Sequence, residues 1–357
     1  MRFKTVLITS TLLFLVMIGS CTGIKSSVEE TPSPGPVPTP VPTPVPAPSP
    51  TVSVRSNQTI SSHPHNIDYY IPSNAESTIV FLHGGGGKKE RFANNLGIKN
   101  DTTTTDYTVS SAGEAWLIAN KVMAVFPQGQ SIAGAPLAFT WNNYVMDSGE
   151  NDVSFLQDLV NSIQNDSTLP ATTKFYLVGH SNGGMMTNRM WCESPNTFDA
   201  YGALAGPPST QLSASDIHPC SPSSVKPYIG VVGDSDTGLQ TTGNMAAATW
   251  TLSSYNGSSP AWVNSTVMND KLYHADRVAA RCSGTVGSPT VSGQLTTYSD
   301  CTDSIKFIVV SQILVSGNPS GGDHCLDITS GSGCVTTLAG DSGMDYKTLL
   351  FDFLKNF

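Results

Sequence analysis

The sequence has 357 residues, a formal net charge of −9, and 13% charged against 39% hydrophobic residues. This length allows one large α/β domain or two smaller domains, and the apolar fraction is enough for a substantial core. The acidic balance offers no cationic surface to neutralise phosphates. It therefore disfavours nucleic-acid binding and charge-driven binding to an anionic membrane.

The N-terminal segment has the pattern of an export signal. Arg2 and Lys4 precede a mostly apolar run from Val6 to Ile18, which is too short to span a bilayer comfortably. The run ends in Ile-Gly-Ser-Cys21, which resembles the lipobox of bacterial lipoproteins. We expect residues 1–20 to be a lipoprotein-type signal peptide and Cys21 to carry a lipid that anchors an exported protein at the cell surface or outer membrane. The alternative is an ordinary signal peptide, which would give a secreted protein with an unmodified Cys21.

A proline-rich linker is expected over residues 21–55. From Pro32 to Pro50 every second residue is proline, which fixes φ and removes the amide donor, so neither helix nor sheet is expected. Polyproline II at ~3.1 Å per residue would make this segment a stiff spacer of roughly 60 Å. A PxxP ligand for an SH3-like domain is the alternative.

From residue 56 onward, apolar runs rich in β-formers alternate with stretches of helical spacing. Strands are predicted at Thr78–Leu82, Val122–Phe126, Phe175–Val178, Tyr228–Val232 and Ile305–Val310. Helices are predicted from Val153 to Ile163 after the capping residues Asn151 and Asp152, from Asn182 to Met190, and from Tyr346 to Phe357. This alternation predicts an α/β fold, a mostly parallel, doubly wound sheet with helices on both faces.

The strongest motif lies at Gly179-His-Ser181-Asn-Gly183, between a predicted strand and a predicted helix. A strand, GxSxG and a helix in this order are typical of the nucleophile elbow of serine hydrolases. The turn is so tight that the residues two before and two after the serine must lack side chains. The helix N-terminus also favours developing negative charge. Ser181 is therefore the predicted nucleophile, and the alternative is a structural serine in a turn.

A glycine-rich loop follows the strand that ends at Leu82. His83-Gly-Gly-Gly-Gly87 resembles the oxyanion loop of esterases, in which backbone amides meet the substrate oxyanion. The predicted donors are the amides of Gly85 and Asn182. A phosphate-binding loop is disfavoured because no Lys-Ser/Thr follows at the required spacing. His83 is predicted to support the loop rather than to act as a base.

A serine hydrolase of this kind needs an acid and a histidine later in the chain. Asp236 follows the predicted strand Tyr228–Val232, and His324 precedes the terminal helix. The predicted triad is Ser181, Asp236 and His324. Asp234 remains an alternative acid, and His274 an alternative base.

These segments resemble the secreted esterases of the polyhydroxybutyrate depolymerase and feruloyl/acetylxylan esterase group, within the α/β-hydrolase superfamily. The resemblance extends over residues 65–357 and rests on six segments: the loop at His83, Val125-Phe-Pro-Gln-Gly129, Trp141-Asn142, Asn151-Asp-Val-Ser-Phe155, Gly179–Gly184 and the Gly-Asp-Ser-Asp236 turn. It implies an α/β-hydrolase fold, with residues 56–357 as the catalytic domain, and it supports Asp236 as the acid. The chain departs from the group around the histidine, where it has Gly-Asp-His324-Cys-Leu, and this weakens any transfer of substrate preference.

The cysteines after Cys21 are typical of an exported protein with disulfide bonds. They are Cys192, Cys220, Cys282, Cys301, Cys325 and Cys334. Pairing of sequence neighbours is one possible connectivity, and it would place a bridge directly after His324. No CxxC spacing or histidine cluster accompanies them, so no metal site and no cofactor is expected.

The expected function is hydrolysis of carboxylic esters, on a polyester or on acyl groups of plant polysaccharide. The sequence does not separate hydroxyalkanoate polyesters, feruloyl or acetyl groups on plant glycans, and synthetic polyesters, and it leaves open both the oligomeric state and whether the substrate is a polymer or a small ester. Trp141 is a candidate for contact with the substrate because it lies in a segment of the resemblance, in a loop after a strand. The alternative is that its ring packs in the core or on the surface. The alternatives are a non-catalytic polymer- or glycan-binding protein on a hydrolase scaffold, and a serine peptidase of the same fold.

Overall fold

A computed structural model describes residues 49–134, 137–144, 146–206, 212, 218, 220, 222–233, 290–292, 295–298, 305–310 and 345–357. The strands of this part of the chain are β1 Val52–Gln58, β2 Ile67–Pro72, β3 Ser77–Leu82, β4 Val122–Pro127, β5 Lys174–His180, β6 Ala200–Leu204, β7 Tyr228–Gly233, β8 Thr290–Ser292, β9 Leu295–Tyr298 and β10 Ile305–Val310. Its helices are α1 Lys89–Asn95, α2 Ser111–Asn120, α3 Asp152–Asn165, α4 Asn182–Glu193 and α5 Tyr346–Leu354, with a short 3-10 turn at Pro195–Thr197.

The five predicted strands are present as β3, β4, β5, β7 and β10, and the three predicted helices as α3, α4 and α5. Strand β1 was not predicted, and it begins at Val52, inside the segment assigned to the linker. It pairs antiparallel with β2, and Val52 and Val54 pack on the core while polar residues alternate with them. A half-exposed edge strand of this kind lacks the continuous apolar run that marks the buried strands.

The described strands form one 10-stranded sheet in the order β1-β2-β4-β3-β5-β6-β7-β10-β9-β8. All the pairings from β4 through β3, β5, β6 and β7 to β10 are parallel. At one end of the sheet β1 pairs with β2 and β2 with β4, and at the other β10 pairs with β9 and β9 with β8; these four pairings are antiparallel. The predicted parallel pairing is confirmed for the central strands of the sheet. The antiparallel strands at its two edges were not predicted.

Helices cover both faces of this sheet, as predicted. In β3, Val80 and Leu82 point to a cluster that contains side chains of α3 and α4, and the alternate residues Ile79 and Phe81 point to a cluster that contains side chains of α1, α2 and α5. The alternation follows from the period of two in an extended strand. The Trp116 indole of α2 donates to Thr348 Oγ1 of α5 over 2.9 Å, which joins two helices of the second face.

Local capping explains where two of the helices begin. Asn151 Oδ1 accepts from the amide of Ser154 at the start of α3, and Asp345 accepts from the amide of Thr348 at the start of α5. In the part of the chain that the structure describes, no helix is both long and apolar enough to cross a membrane.

Candidate active site

Ser181 occupies a strained turn between strand β5 and helix α4. Its φ of 53° and ψ of −119° lie in a region that residues with a side chain rarely adopt, and such a conformation costs about 1–3 kcal/mol. Two hydrogen bonds of 2.9 Å hold the turn, from Ser181 N to the Leu204 carbonyl of β6 and from Met185 N to the Ser181 carbonyl. The surrounding sheet therefore imposes this conformation on the serine.

The glycines of the motif make this turn possible. A Cβ atom on Gly179 would lie 2.1 Å from the Gly183 oxygen, and one on Gly183 would lie 2.4 Å from the Leu82 oxygen. Both contacts are with backbone, which has no rotamer by which to move away. The predicted need for residues without side chains on either side of Ser181 is confirmed.

The loop after β3 packs directly against this turn. A Cβ atom on Gly84 would lie 3.2 Å from Ser181 Cβ, and one on Gly85 would lie 3.5 Å from Asn182 Cβ. The Gly86 amide donates to the Phe139 carbonyl over 3.0 Å, and the Gly87 amide donates to the Gly84 carbonyl over 2.9 Å. The Gly86 amide thus bonds to the connection after β4 and the Gly87 amide bonds within its own loop, and Gly85 lies beside the N-terminus of α4.

His83 supports this loop through both of its ring nitrogens. Its Nε2 accepts from the Gly129 amide over 2.9 Å, so the ring proton is on Nδ1, which donates to the Gly84 carbonyl over 2.7 Å. Gln128 Nε2 also lies 2.8 Å from His83 Nε2. Burial lowers the pKa of His83 to about 4, which keeps the ring neutral at pH 7. This geometry agrees with the supporting role predicted for His83.

Trp141 connects the glycine-rich loop to helix α4. The Asn182 side chain makes two bonds with the Trp141 backbone, accepting from its amide over 2.7 Å and donating to its carbonyl over 2.9 Å. The Trp141 indole donates to the His83 carbonyl over 3.0 Å. Trp141 is 0% exposed, and its ring stacks parallel to those of His65 and Phe155. The ring is enclosed by residues distant in sequence, so Trp141 has the packing role that was the alternative to contact with substrate.

A buried pair that sequence reasoning did not identify lies beneath Trp141. His65 Nε2 is 2.9 Å from Asp152 Oδ1, and both side chains are 0% exposed. Asp152 Oδ2 accepts from the Asn142 amide over 2.6 Å and from Ser148 Oγ over 2.7 Å. Asp152 therefore does more than begin α3. It fixes the segment that positions Trp141, and no local pattern marks this role because His65 is far away in sequence.

Two apolar side chains lie next to Gly85. A Cβ atom on Gly85 would be 3.0 Å from Leu137 Cδ1 and 3.5 Å from Met146 Sδ. Leu137 is 39% exposed, and the other exposed large hydrophobic residue of the described chain, Ile132 at 42%, belongs to the same loop. An oxyanion donor at Gly85 would therefore have an apolar border, which sequence reasoning also missed.

The remaining predicted site residues lie outside the described residues: Cys21, Asp236, His324, and the alternatives Asp234 and His274. Strand β7 is parallel to β6 and β5, and it ends at Gly233, the last described residue before Asp236. The predicted disulfide bond between Cys192 and Cys220 is present. Cys282, Cys301, Cys325 and Cys334 also lie outside the described residues.

Within the described residues, no group of three or more His, Cys, Asp or Glu side chains could hold a metal ion.

A mostly parallel sheet with helices on both faces and a tight strand-turn-helix at its carboxyl edge is typical of the α/β-hydrolase fold. The chain has this fold.

No protein-family model matches the chain, and neither does any curated protein. Among solved structures it is similar to an acetyl xylan esterase from Aspergillus awamori, at 12% identity over 72% of this chain and 93% of that one, with a TM-score of 0.44. It is also similar to a carboxylesterase from Mesorhizobium loti, at 14% identity over 51% and 77% of the two chains, with a TM-score of 0.34. A third match is the fluorophosphonate-binding serine hydrolase FphF from Staphylococcus aureus, at 12% identity over 54% and 83%, with a TM-score of 0.33. Likenesses this distant do not define an activity or a substrate.

Proposed function

We propose that this protein is a serine esterase that hydrolyses carboxylic esters through an acyl-enzyme. The observation that carries the proposal is Ser181 at φ 53° in a turn between a strand and a helix, with the glycine-rich loop packed against it. A structural serine in a turn does not require this strain. A nucleophile that must project from the sheet does.

In the proposed mechanism, His324 takes the proton of the Ser181 hydroxyl as its oxygen attacks the ester carbonyl. Asp236 holds the imidazole in the useful tautomer and stabilises the imidazolium. The tetrahedral oxyanion is bound by the amides of Gly85 and Asn182. As the first residue of α4, Asn182 has no acceptor for its amide within the helix. His324 then protonates the leaving alcohol, and water releases the acyl group. Each oxyanion donor is typically worth about 3–4 kcal/mol in the transition state.

The substrate class that we propose is a polyester or an acyl group on plant polysaccharide, as the resemblance implies. The apolar border of Gly85, formed by Leu137 and Met146, fits an ester with a hydrocarbon part. We also propose that the protein is exported and anchored through a lipid on Cys21, with the proline-rich segment as spacer.

The decisive experiment for activity is labelling of the full-length protein with a fluorophosphonate probe, together with hydrolysis of p-nitrophenyl acetate. We expect the native protein to label and to turn over the ester, and the Ser181→Ala variant to do neither. Ser154, a partly exposed serine in the first turn of helix α3, supplies the control: Ser154→Ala keeps both properties. A folded native protein that does not label would show that the scaffold is non-catalytic. Faster hydrolysis of peptides than of aryl esters would show a peptidase.

The anchor is tested separately, in a bacterial host that processes lipoproteins. With an alkyne-tagged fatty acid in the medium, the native chain is expected to incorporate the tag and Cys21→Ser to lose it. Equal tagging of both chains, or none in either, would contradict the anchor without affecting the proposed activity.

A further inference from the structure

The loop that follows β4 carries the two exposed large hydrophobic residues of the described chain. The loop is closed at its base, where Gln130 N donates to the Thr140 carbonyl over 3.1 Å and Thr140 N donates to the Gln130 carbonyl over 2.7 Å. The Gly86 amide donates to the Phe139 carbonyl over 3.0 Å, which attaches the loop to the glycine-rich segment. Phe139, two residues after Leu137, is thus bonded through its backbone to the glycine-rich loop.

A second turn brings Met146 to the same place. The Asn143 amide donates to the Met146 carbonyl over 3.1 Å, and the Met146 amide donates to Asn143 Oδ1 over 2.9 Å. The Asn143 side chain also donates to the Asn182 carbonyl over 3.3 Å, which anchors the turn to the first residue of α4. Two successive turns of the connection between β4 and α3 therefore each place one apolar side chain beside Gly85.

Leu137 and Ile132 differ in what they contact. Leu137 Cδ1 and Cδ2 lie 3.0 Å and 3.7 Å from the Cβ positions of Gly85 and Gly86. Ile132 Cγ1 lies 3.0 Å from the Cβ position of Gly149, on the other side of the loop. Two side chains of similar size and exposure on one loop thus have different neighbours, and only Leu137 borders the oxyanion loop.

We infer that Leu137 and Met146 form an apolar shelf that contacts the hydrocarbon group of the ester next to its carbonyl, and so determine which chain lengths the protein prefers. This inference rests on the proposed function. The carbonyl oxygen must lie within hydrogen-bond distance of the Gly85 amide in the transition state, so the first carbons beyond the carbonyl lie within reach of side chains in contact with Gly85. Burial of each methylene against such a surface strengthens the interaction by up to about fourfold. Longer hydrocarbon groups therefore gain more from the shelf than acetyl does.

The test compares kcat/KM in two ester series on full-length protein. One series lengthens the acyl group from acetate to hexanoate on p-nitrophenol, and the other lengthens the alcohol of aliphatic acetates. We expect Leu137→Ala to lower the ratio of the longest to the shortest substrate about 3- to 10-fold in one of the series, which also shows the side of the ester that the shelf contacts. Met146→Ala is expected to act in the same series. The matched control Ile132→Ala is expected to change the ratios less than twofold.

Two further variants keep the test decisive. Leu137→Met conserves volume and is expected to retain most of the chain-length preference, and Leu137→Asn is expected to abolish it. Fluorophosphonate labelling of Ser181, measured on every variant, shows that each remains folded and reactive. Unchanged ratios in both series, or an equal effect of Ile132→Ala, in variants that still label would overturn the shelf and leave the proposed esterase intact. Absence of labelling in the native protein would instead overturn the esterase.

Discussion

His83 Nδ1 lies 2.7 Å from the carbonyl oxygen of Gly84, and that oxygen shares a trans peptide unit with the amide of Gly85. In a planar trans peptide the C=O and N–H bonds point in opposite directions. A hydrogen bond that fixes the Gly84 oxygen therefore also fixes the direction of the Gly85 N–H. The Gly87 amide donates to the same oxygen over 2.9 Å and reinforces this orientation. His83 is thus a positioning residue for the proposed oxyanion donor.

Replacement of His83 by alanine is expected to lower kcat about 10- to 100-fold with KM changed less than about threefold. The reason is that complete loss of one oxyanion donor costs 10²–10³-fold, and an unfixed peptide retains part of it. The measurement is steady-state hydrolysis of p-nitrophenyl acetate well below the melting temperature. His83→Asn keeps a side-chain donor near the position of Nδ1 and is expected to recover part of kcat. His63→Ala, at a histidine paired with the half-exposed Asp158, is the matched control and should change kcat little. A rise in KM at constant kcat would contradict the positioning role.

The buried, neutral His83 also predicts how stability depends on pH. Its folded pKa of about 4 lies below the ordinary value of 6.5, so the unfolded chain binds more protons between these two pH values. The contribution of His83 to the free energy of unfolding therefore has its full value above pH 6.5. It decreases as the pH falls toward 4, by at most about 1.4 kcal/mol per pH unit. Urea unfolding at pH 7 and pH 4.5 should show a smaller difference for His83→Asn than for the native protein. Identical differences in the two proteins would show that His83 does not carry this dependence.

The variant Trp141→Phe distinguishes between two roles for Trp141, support of the glycine-rich loop and contact with the substrate. The variant keeps an aromatic ring but loses the indole donor to the His83 carbonyl, and leaving that buried acceptor unpaired costs about 1–3 kcal/mol. We expect a lower free energy of unfolding and a lower kcat, with no selective change in KM for feruloyl relative to aliphatic esters. A KM increase confined to aromatic esters would instead indicate that the ring contacts the substrate.

The bond between Cys192 and Cys220 joins the last turn of α4 to the segment before β7, with a sequence separation of 28. Closing a loop of this length in the unfolded chain is worth about 3–4 kcal/mol. The double variant Cys192→Ser with Cys220→Ser is expected to lose about that much stability on urea unfolding. Because Ser181 lies at the opposite end of α4, kcat measured well below both melting temperatures should stay within about twofold of the native value. A kcat that falls in parallel with stability would show that the bond also shapes the elbow.

Several features of this protein could be predicted because they depend on residues adjacent in the chain. The apolar runs of β3, β4 and β5 identify buried strands, since a strand covered on both faces needs apolar side chains at successive positions. The elbow at Ser181 is equally local. Its steric requirement is met or violated within a few residues, and glycines at 179 and 183 meet it.

Tertiary structure decided what depends on contacts between distant residues. Nothing near Trp141 in the sequence shows that His65 and Phe155 enclose its ring, so the sequence alone could not decide between packing and contact with substrate. The pairing of His65 with Asp152 and the position of Leu137 over Gly85 are likewise products of the assembled sheet and its loops. Burial is set by which segments meet in space, and a local pattern carries the preference of a residue for burial but not the identity of its neighbours.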